Sequence, residues 1–185
     1  MAGYNRRPFY EPFALLSRLT PLRLWNALQL LGSFYYARWT GRPAHRGFPI
    51  SFAVEPTTAC NLGCPECPSG LRAFSRPTGM LSQERFEGIV DQMAARSMYL
   101  TLYFQGEPYL NKHFYHFVRY AEGKGLYTAT STNGHYLTKP NAAATIEAGL
   151  SRMIISIDGA TQETYENYRR RGQLSKVLQA TENML

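Results

Sequence analysis

Cysteine is almost absent from this chain, and so are long apolar runs, internal repeats and low-complexity tracts. Each absence excludes something. Three thiols in 185 residues cannot form the fully paired disulfide framework that staples small secreted domains. Arg6 and Arg7 precede apolar residues, but Arg18 and Arg23 interrupt that stretch and no convincing cleavage site follows, so no clean signal peptide is legible. A reducing compartment, the cytoplasm, is the expected location. Residues 24 to 37 carry no charge, yet that falls short of the roughly 20 residues needed to span a bilayer. With 44% apolar and 18% charged residues, the chain can build one domain with a real core. Its net charge of +7 suits an anionic partner or a membrane surface without identifying either. The thirteen tyrosines lie in apolar segments without the basic interleaving of a stacking surface, so there is no specific nucleic-acid signal. Arg169, Arg170 and Arg171 form the only dense basic run, and a solvated helix end accounts for at least two of them.

What cysteine there is sits together: Cys60, Cys64 and Cys67 form C-x3-C-x2-C in the segment EPTTACNLGCPECPSG. Thiols scattered through a reduced protein are mostly small core residues, and this clustering argues against that role. A structural zinc site normally closes with four protein ligands, often from C-x2-C pairs, and bacterial ferredoxins supply more cysteines in another order. None of His45, His113, His116 and His135 stands at a finger-like spacing from the thiols. Soft ligands without a fourth partner favour an iron-sulfur cubane over zinc. One iron would then stay open to an outside ligand, which makes a reaction site of the centre.

The chain divides near residue 48. Before it, Tyr10 to Trp39 reads as one or two helices, with Pro21 opening the second. Leu22, Leu24, Trp25, Leu28, Leu30, Leu31, Phe34 and Tyr35 give that helix a broad apolar surface. Packing against the following domain is the ordinary account of such a surface, and peripheral membrane contact through the N-terminal helices is the other. Thr40 to Gly47 forms a linker with Gly41, Pro43 and Gly47. From there strand and helix alternate. Strands are expected at Pro49–Glu55, Met98–Phe104, Leu126–Thr130 and Met153–Ile157. Helices are expected at Ser82–Arg96, His113–Lys124, Lys139–Ala148, from Thr161 onward, and from near Gln173, with Ser82 as an N-cap. This order implies right-handed crossovers and a parallel sheet, an α/β fold.

In a parallel sheet the ligand site lies beyond the carboxyl ends of the strands. The cysteines follow the first strand, Gln105-Gly106-Glu107-Pro108 the second, Ser131-Thr132-Asn133-Gly134 the third, and Ser156-Ile157-Asp158-Gly159 closes the fourth. Each motif alone is an ordinary turn. Their shared rim is the stronger signal.

The three cysteines with GEP, STNG and SIDG in this order resemble the radical S-adenosylmethionine (radical SAM) superfamily, closest to the branch whose members often carry a cysteine-rich SPASM domain. The resemblance covers about residues 49 to 172, and the cysteine motif is its specific part. It implies a partial (β/α) barrel of the radical SAM type, with about four of the family's six strands present. It further implies a 4Fe-4S cluster on Cys60, Cys64 and Cys67, with S-adenosyl-L-methionine chelating the open iron through its amino and carboxylate groups. The implied reaction is reductive cleavage of S-adenosylmethionine to a 5′-deoxyadenosyl radical, which takes hydrogen from an unknown peptide, protein or small-molecule substrate, with an external electron donor. The cofactor carries the difficult step, and the protein supplies position and dryness.

By the same resemblance Gly106 lets the backbone approach the methionine amino group, and Glu107 accepts a hydrogen bond from it. Ser156 and Asp158 match positions that contact the ribose or the methionine carboxylate, and a turn capping the next helix is their other reading. Arg169 is the candidate carboxylate fork, and Thr132 and Asn133 are lesser contacts. Two departures stand out: Gln105 replaces a common glycine, and Pro65 sits where the family often has an aromatic. With four strands counted, the chain is expected to be an N-terminal portion lacking the last barrel strands and the SPASM domain, or to need a partner that completes the sheet. The organisation expected is a helical segment and linker over residues 1–48 and a radical SAM core over 49–185. The competing functional reading is a non-enzymatic iron-sulfur or zinc-binding module, a truncated relative without turnover.

Overall fold

Local chemistry opens the helices. In a computed structural model that describes residues 10–185, α1 (Tyr10–Leu16) is followed by α2 (Pro21–Thr40). Thr20 Oγ1 accepts the Arg23 N–H at 3.2 Å and Pro21 supplies a preset first turn, so the helix starts where side chain and φ agree. Gly41 ends it at φ 67°, donating to the Ala37 carbonyl. Arg6 and Arg7 lie outside the described residues.

The rest alternates as expected: β1 (Ser51–Ala53), α3 (Pro68–Leu71), α4 (Gln83–Met93), β2 (Tyr99–Thr101), α5 (Phe114–Gly123), β3 (Tyr127–Thr132), α6 (Lys139–Glu147), β4 (Arg152–Ile155), α7 (Gln162–Tyr168) and α8 (Leu174–Asn183). The strands pair in chain order, all parallel, with Phe52 beside Leu100 and Leu100 beside Thr128. Crossover helices cover one face. There Leu100, Leu102, Val90, Phe114 and Leu126 bury together with Phe86 and Phe117, whose rings stack at 4.2 Å. Each such side chain contributes roughly 1.5–3 kcal/mol by leaving water. A smaller cluster of Tyr165, Leu174 and Val177 docks α7 and α8 against Ile155.

Two expectations change in detail. The first two strands are shorter than expected, because their ladders persist for only three residues each and Pro49 and Pro56 bracket β1. The helices expected from Thr161 and from near Gln173 are present as α7 and α8, with Arg171 at φ 68° in the break between them. Ser156 and Asp158 do not cap α7; Thr161 does, through a reciprocal capping box with Thr164.

The largest correction concerns α2. Its apolar surface does not pack on the domain. The buried residues are Arg23, Asn26 and Ser33, while Leu22, Leu24, Trp25, Leu28, Leu31, Phe34 and Tyr35 are exposed and Leu30 is half-buried. The reason lies at the amino ends of the strands, where helix termini leave carbonyls without partners. Arg23 spends all five N–H donors on the carbonyls of Ala94 (2.7 and 3.2 Å), Arg18 (2.6 Å), Gly125 (2.7 Å) and Lys124 (3.1 Å). Asn26 accepts the Phe48 N–H at 2.6 Å and donates to the Phe48 and Arg96 carbonyls. Polar complementarity docks this helix, so its apolar side is left outside.

Candidate metal centre

The loop after β1 owes its shape to backbone pairing and to two glycines. Thr57 Oγ1 donates to the Gly79 carbonyl at 2.8 Å, and Asn111 Nδ2 donates to the Pro56 and Leu81 carbonyls. A Cβ on Gly70 would lie 2.6 Å from both the backbone N and O of Cys64, so α3 can rest on the cysteine loop only without a side chain there. Gly106 stands at φ 77°, and a Cβ on it would meet the Thr57 carbonyl at 2.2 Å. Around it the two loops are stitched: the Gly106 N–H donates to Ser69 Oγ at 2.9 Å and the Glu107 N–H to the Ala59 carbonyl at 2.7 Å.

These joins bring Cys60, Cys64 and Cys67 to the wall of one cavity of about 260 Å³, which Gln105, Gly106, Glu107, Ser131, Thr132, Asn133, Ser156 and Arg169 also line. Residues from all four strand ends therefore share one rim. Asp158 is set back and reaches the cavity through its ion pair with Arg169 Nε. Pro65 is outside the lining. Among the described residues no three His, Cys, Asp or Glu side chains converge on a point that could hold a single ion. The three thiols instead line one shared cavity.

Each thiol meets a polar side chain, and the three come from the loop after β3, the end of α7 and the loop after β2. Asn133 Nδ2 approaches Cys60 Sγ at 3.9 Å, Arg169 Nη1 approaches Cys64 Sγ at 3.9 Å, and Cys67 Sγ faces Gln105 Oε1 at 3.4 Å. Burial pushes the Cys60 thiol above its ordinary value, and does the same to Cys64 against the opposing pull of Arg169. Low dielectric makes an uncompensated thiolate costly, so deprotonation here calls for a bound cation. Three and only three thiols, lining one cavity and each met by a polar group, fit a multi-iron cluster held at three corners. The donors on Cys60 and Cys64, Asn133 and Arg169, are of the kind that set such a cluster's potential, whereas at Cys67 it is the thiol that donates, to Gln105 Oε1.

Glu107 is 2% exposed and already accepts three hydrogen bonds. Thr132 Oγ1 donates at 2.7 Å and the Asn133 and Tyr109 N–H groups at 2.8 and 3.3 Å. Burial nonetheless pushes its carboxyl upward, against those bonds. The carboxylate thus ties the end of β2 to the end of β3 and fixes the Thr132–Asn133 backbone. Ser156 Oγ lies 3.3 Å from Ser131 Oγ, joining the last two strand ends. Beside them His135 Nε2 accepts the Gln173 N–H at 2.9 Å and holds the start of α8 to the loop after β3.

From the sequence, Gln105 stands out only as a departure and Ser131 only as part of its motif, and nothing points to Ser69 or Asn61. Ser69 Oγ and Cys67 Sγ share the Gln105 amide oxygen, and Asn61 Oδ1 accepts from Asn133 at 2.8 Å. The polar side chain at Gln105, where glycine is common, was the available signal. Arg171 is a further surprise: its guanidinium covers Gly63, whose N–H donates to the Arg170 carbonyl at 3.0 Å. The basic run folds over the cysteine loop.

Residues 54–185 match the family model described as Radical SAM superfamily. An AdoMet-dependent heme synthase from Methanosarcina barkeri is 33% identical over 121 residues, covering 65% of this chain and 34% of that protein. A PqqA peptide cyclase from Rhodopseudomonas palustris is 31% identical over 114 residues, covering 62% of this chain and 30% of that protein. The chain thus spans about a third of the length of these curated relatives. The solved structure of native anSMEcpe with bound AdoMet and Cp18Cys peptide has a similar fold, with TM-score 0.59 and 22% identity, covering 74% of this chain and 40% of that one.

Proposed function

The chain belongs to the Radical SAM superfamily, and we propose that it carries the cluster-binding and S-adenosylmethionine-binding part of an enzyme that takes hydrogen from a peptide or protein substrate. The superfamily uses a 4Fe-4S cluster and S-adenosyl-L-methionine. When bound, this pair supplies an electron and a hydrogen-abstracting 5′-deoxyadenosyl radical. The observation that carries the reading is the common cavity: the chain's only three thiols and the ends of all four strands open onto it.

In this reading residues 49–185 are the catalytic core and residues 1–48 a separate helical segment. Cys60, Cys64 and Cys67 would hold three irons, and Asn133 and Arg169 would tune the sulfurs to which they donate. Gly106 leaves its backbone bare on the cavity wall for the methionine amino group, as no other residue could sit at that φ and distance from Thr57. Glu107 keeps Thr132 and Asn133 in place, and its remaining lone pairs can meet an ammonium. Ser156 and Ser131 line the same wall, where a ribose or carboxylate would be held. Arg169, anchored by Asp158, offers its outer nitrogens to a carboxylate. Peptide chemistry is favoured by the relative whose name is peptide cyclase. The cytoplasm suits free thiols and an external electron donor.

Anaerobic reconstitution with iron and sulfide, followed by dithionite and S-adenosylmethionine, tests the reading. The expected product is 5′-deoxyadenosine, absent from a Cys64→Ser chain. Uptake of one tetrahedral zinc and no cluster would overturn it.

A further inference from the structure

The inverted helix α2 has a chemical logic beyond the catalytic end. It is 20 residues long, about 30 Å at 1.5 Å per residue, and lies across the amino ends of the strands. Arg23, Asn26 and Ser33 mark the side that faces the domain. The opposite side, at helical spacing, presents Leu24, Leu28, Leu31, Tyr35 and Trp39. Trp25 and Trp39 are the only tryptophans of the chain, and they are 60% and 80% exposed. Soluble domains seldom leave so contiguous an apolar face in water, and one rimmed by polar residues marks an interaction site.

Charge selects the occupant. From Pro12 to Val54 there is no Asp or Glu, while Arg18, Arg23, Arg38, Arg42 and Arg46 fall in the same stretch. Arg38, Arg42 and Arg46 are exposed, and among the described residues none has an acidic partner. Arg46 lines a groove of about 590 Å³ with Trp25, Gly32 and Tyr36, so a cation stands beside the apolar face. Twofold pairing of this face with a second copy would set arginines against arginines with no acid between them. Among the described residues no helix is long and apolar enough to cross a membrane. Apolar and aromatic side chains on one face, with basic residues beside them, match a helix lying in the plane of an interface.

We propose that α2 and the linker behind it seat the protein on an anionic lipid surface. The apolar face enters the acyl boundary, and Arg38, Arg42 and Arg46 meet headgroup phosphates. Arg23 lies at the amino ends of the strands and the thiols beyond their carboxyl ends, so the cysteine cavity opens at the end of the sheet away from the lipid. This inference does not depend on the cluster being loaded.

The test uses the full chain, the fluorescence of its two tryptophans, and vesicles of phosphatidylcholine alone or mixed with phosphatidylglycerol. With the mixed vesicles the emission shifts to the blue and the chain co-sediments. Binding to phosphatidylcholine alone is at least about tenfold weaker, and added salt weakens the anionic binding. A Leu28→Glu, Tyr35→Glu double variant loses more than about tenfold in binding. Its circular dichroism and melting stay unchanged, because both side chains are exposed. An Arg42→Glu, Arg46→Glu variant loses the preference for phosphatidylglycerol. Three results would each overturn the proposal: no spectral change with mixed vesicles, equal binding to both vesicle types, or a concentration-dependent blue shift without lipid in a chain that binds neither.

Discussion

Two arginines at opposite ends of one sheet show how differently the same side chain can be used. At the amino ends of the strands, buried Arg23 gives every donor to backbone carbonyls and has none left. At the carboxyl ends, Arg169 holds Asp158 with one nitrogen, leans toward Cys64 with another, and faces a cavity with the rest. The first closes structure and the second keeps capacity for a ligand. A (β/α) sheet divides labour in this way because its helix C-termini and its ligand-binding loops lie at opposite ends of the strands.

The division can be broken from either end. The largest expected effect is at the carboxyl rim: Cys64→Ala should abolish cluster uptake, read as iron and sulfide content, while the unfolding midpoint of the metal-free chain barely moves. Arg23→Met should do the reverse. It strands four carbonyls at about 1–3 kcal/mol each, so a loss of at least about 4 kcal/mol is expected in denaturant unfolding, with cluster uptake by the folded fraction retained. If Arg23→Met instead emptied the cluster site at full stability, the two ends would not be separate.

Gly106→Ala sits between these extremes. The strained φ alone should cost about 1–3 kcal/mol, the clash with the Thr57 carbonyl adds to that by forcing the loops apart, and cluster yield falls because the glycine joins the two loops of the rim. The smallest effect is at His135. Burial holds its pKa below the ordinary value, and Nε2 must stay unprotonated to accept from Gln173. The folded state therefore binds fewer protons than the unfolded one, so stability is present above the ordinary histidine value of about 6.5 and is lost as pH falls through the lowered folded value. Melting of His135→Gln should lack this dependence; an unchanged pH profile in the variant would remove His135 from the account.

How much of this was legible follows from locality. Caps at Thr20, Ser82 and Thr161 act within three residues, and glycine stops act within one, so helix starts and ends can be read from short windows. The cysteine triplet and the motifs at Gly106, Ser131 and Ser156 fall on one rim by topology alone. What could not be read is long-range pairing. Arg169 lies 105 positions from Cys64, and Gln105 lies 38 from Cys67, with no pattern in the chain to announce either contact. The first two strands were overestimated, and the third underestimated at its carboxyl end, because a ladder stops where its neighbour stops. In α2 the period was right and the buried face wrong: periodicity finds a stripe, but only the unpaired carbonyls it meets decide which side turns inward.

The most direct test of the central claim, that the carboxyl rim is an S-adenosylmethionine-dependent cluster site, is electron paramagnetic resonance of the reconstituted, dithionite-reduced chain with and without S-adenosylmethionine. The account predicts the signal of one reduced 4Fe-4S cluster, shifted when S-adenosylmethionine is added. A cluster signal indifferent to S-adenosylmethionine would contradict it.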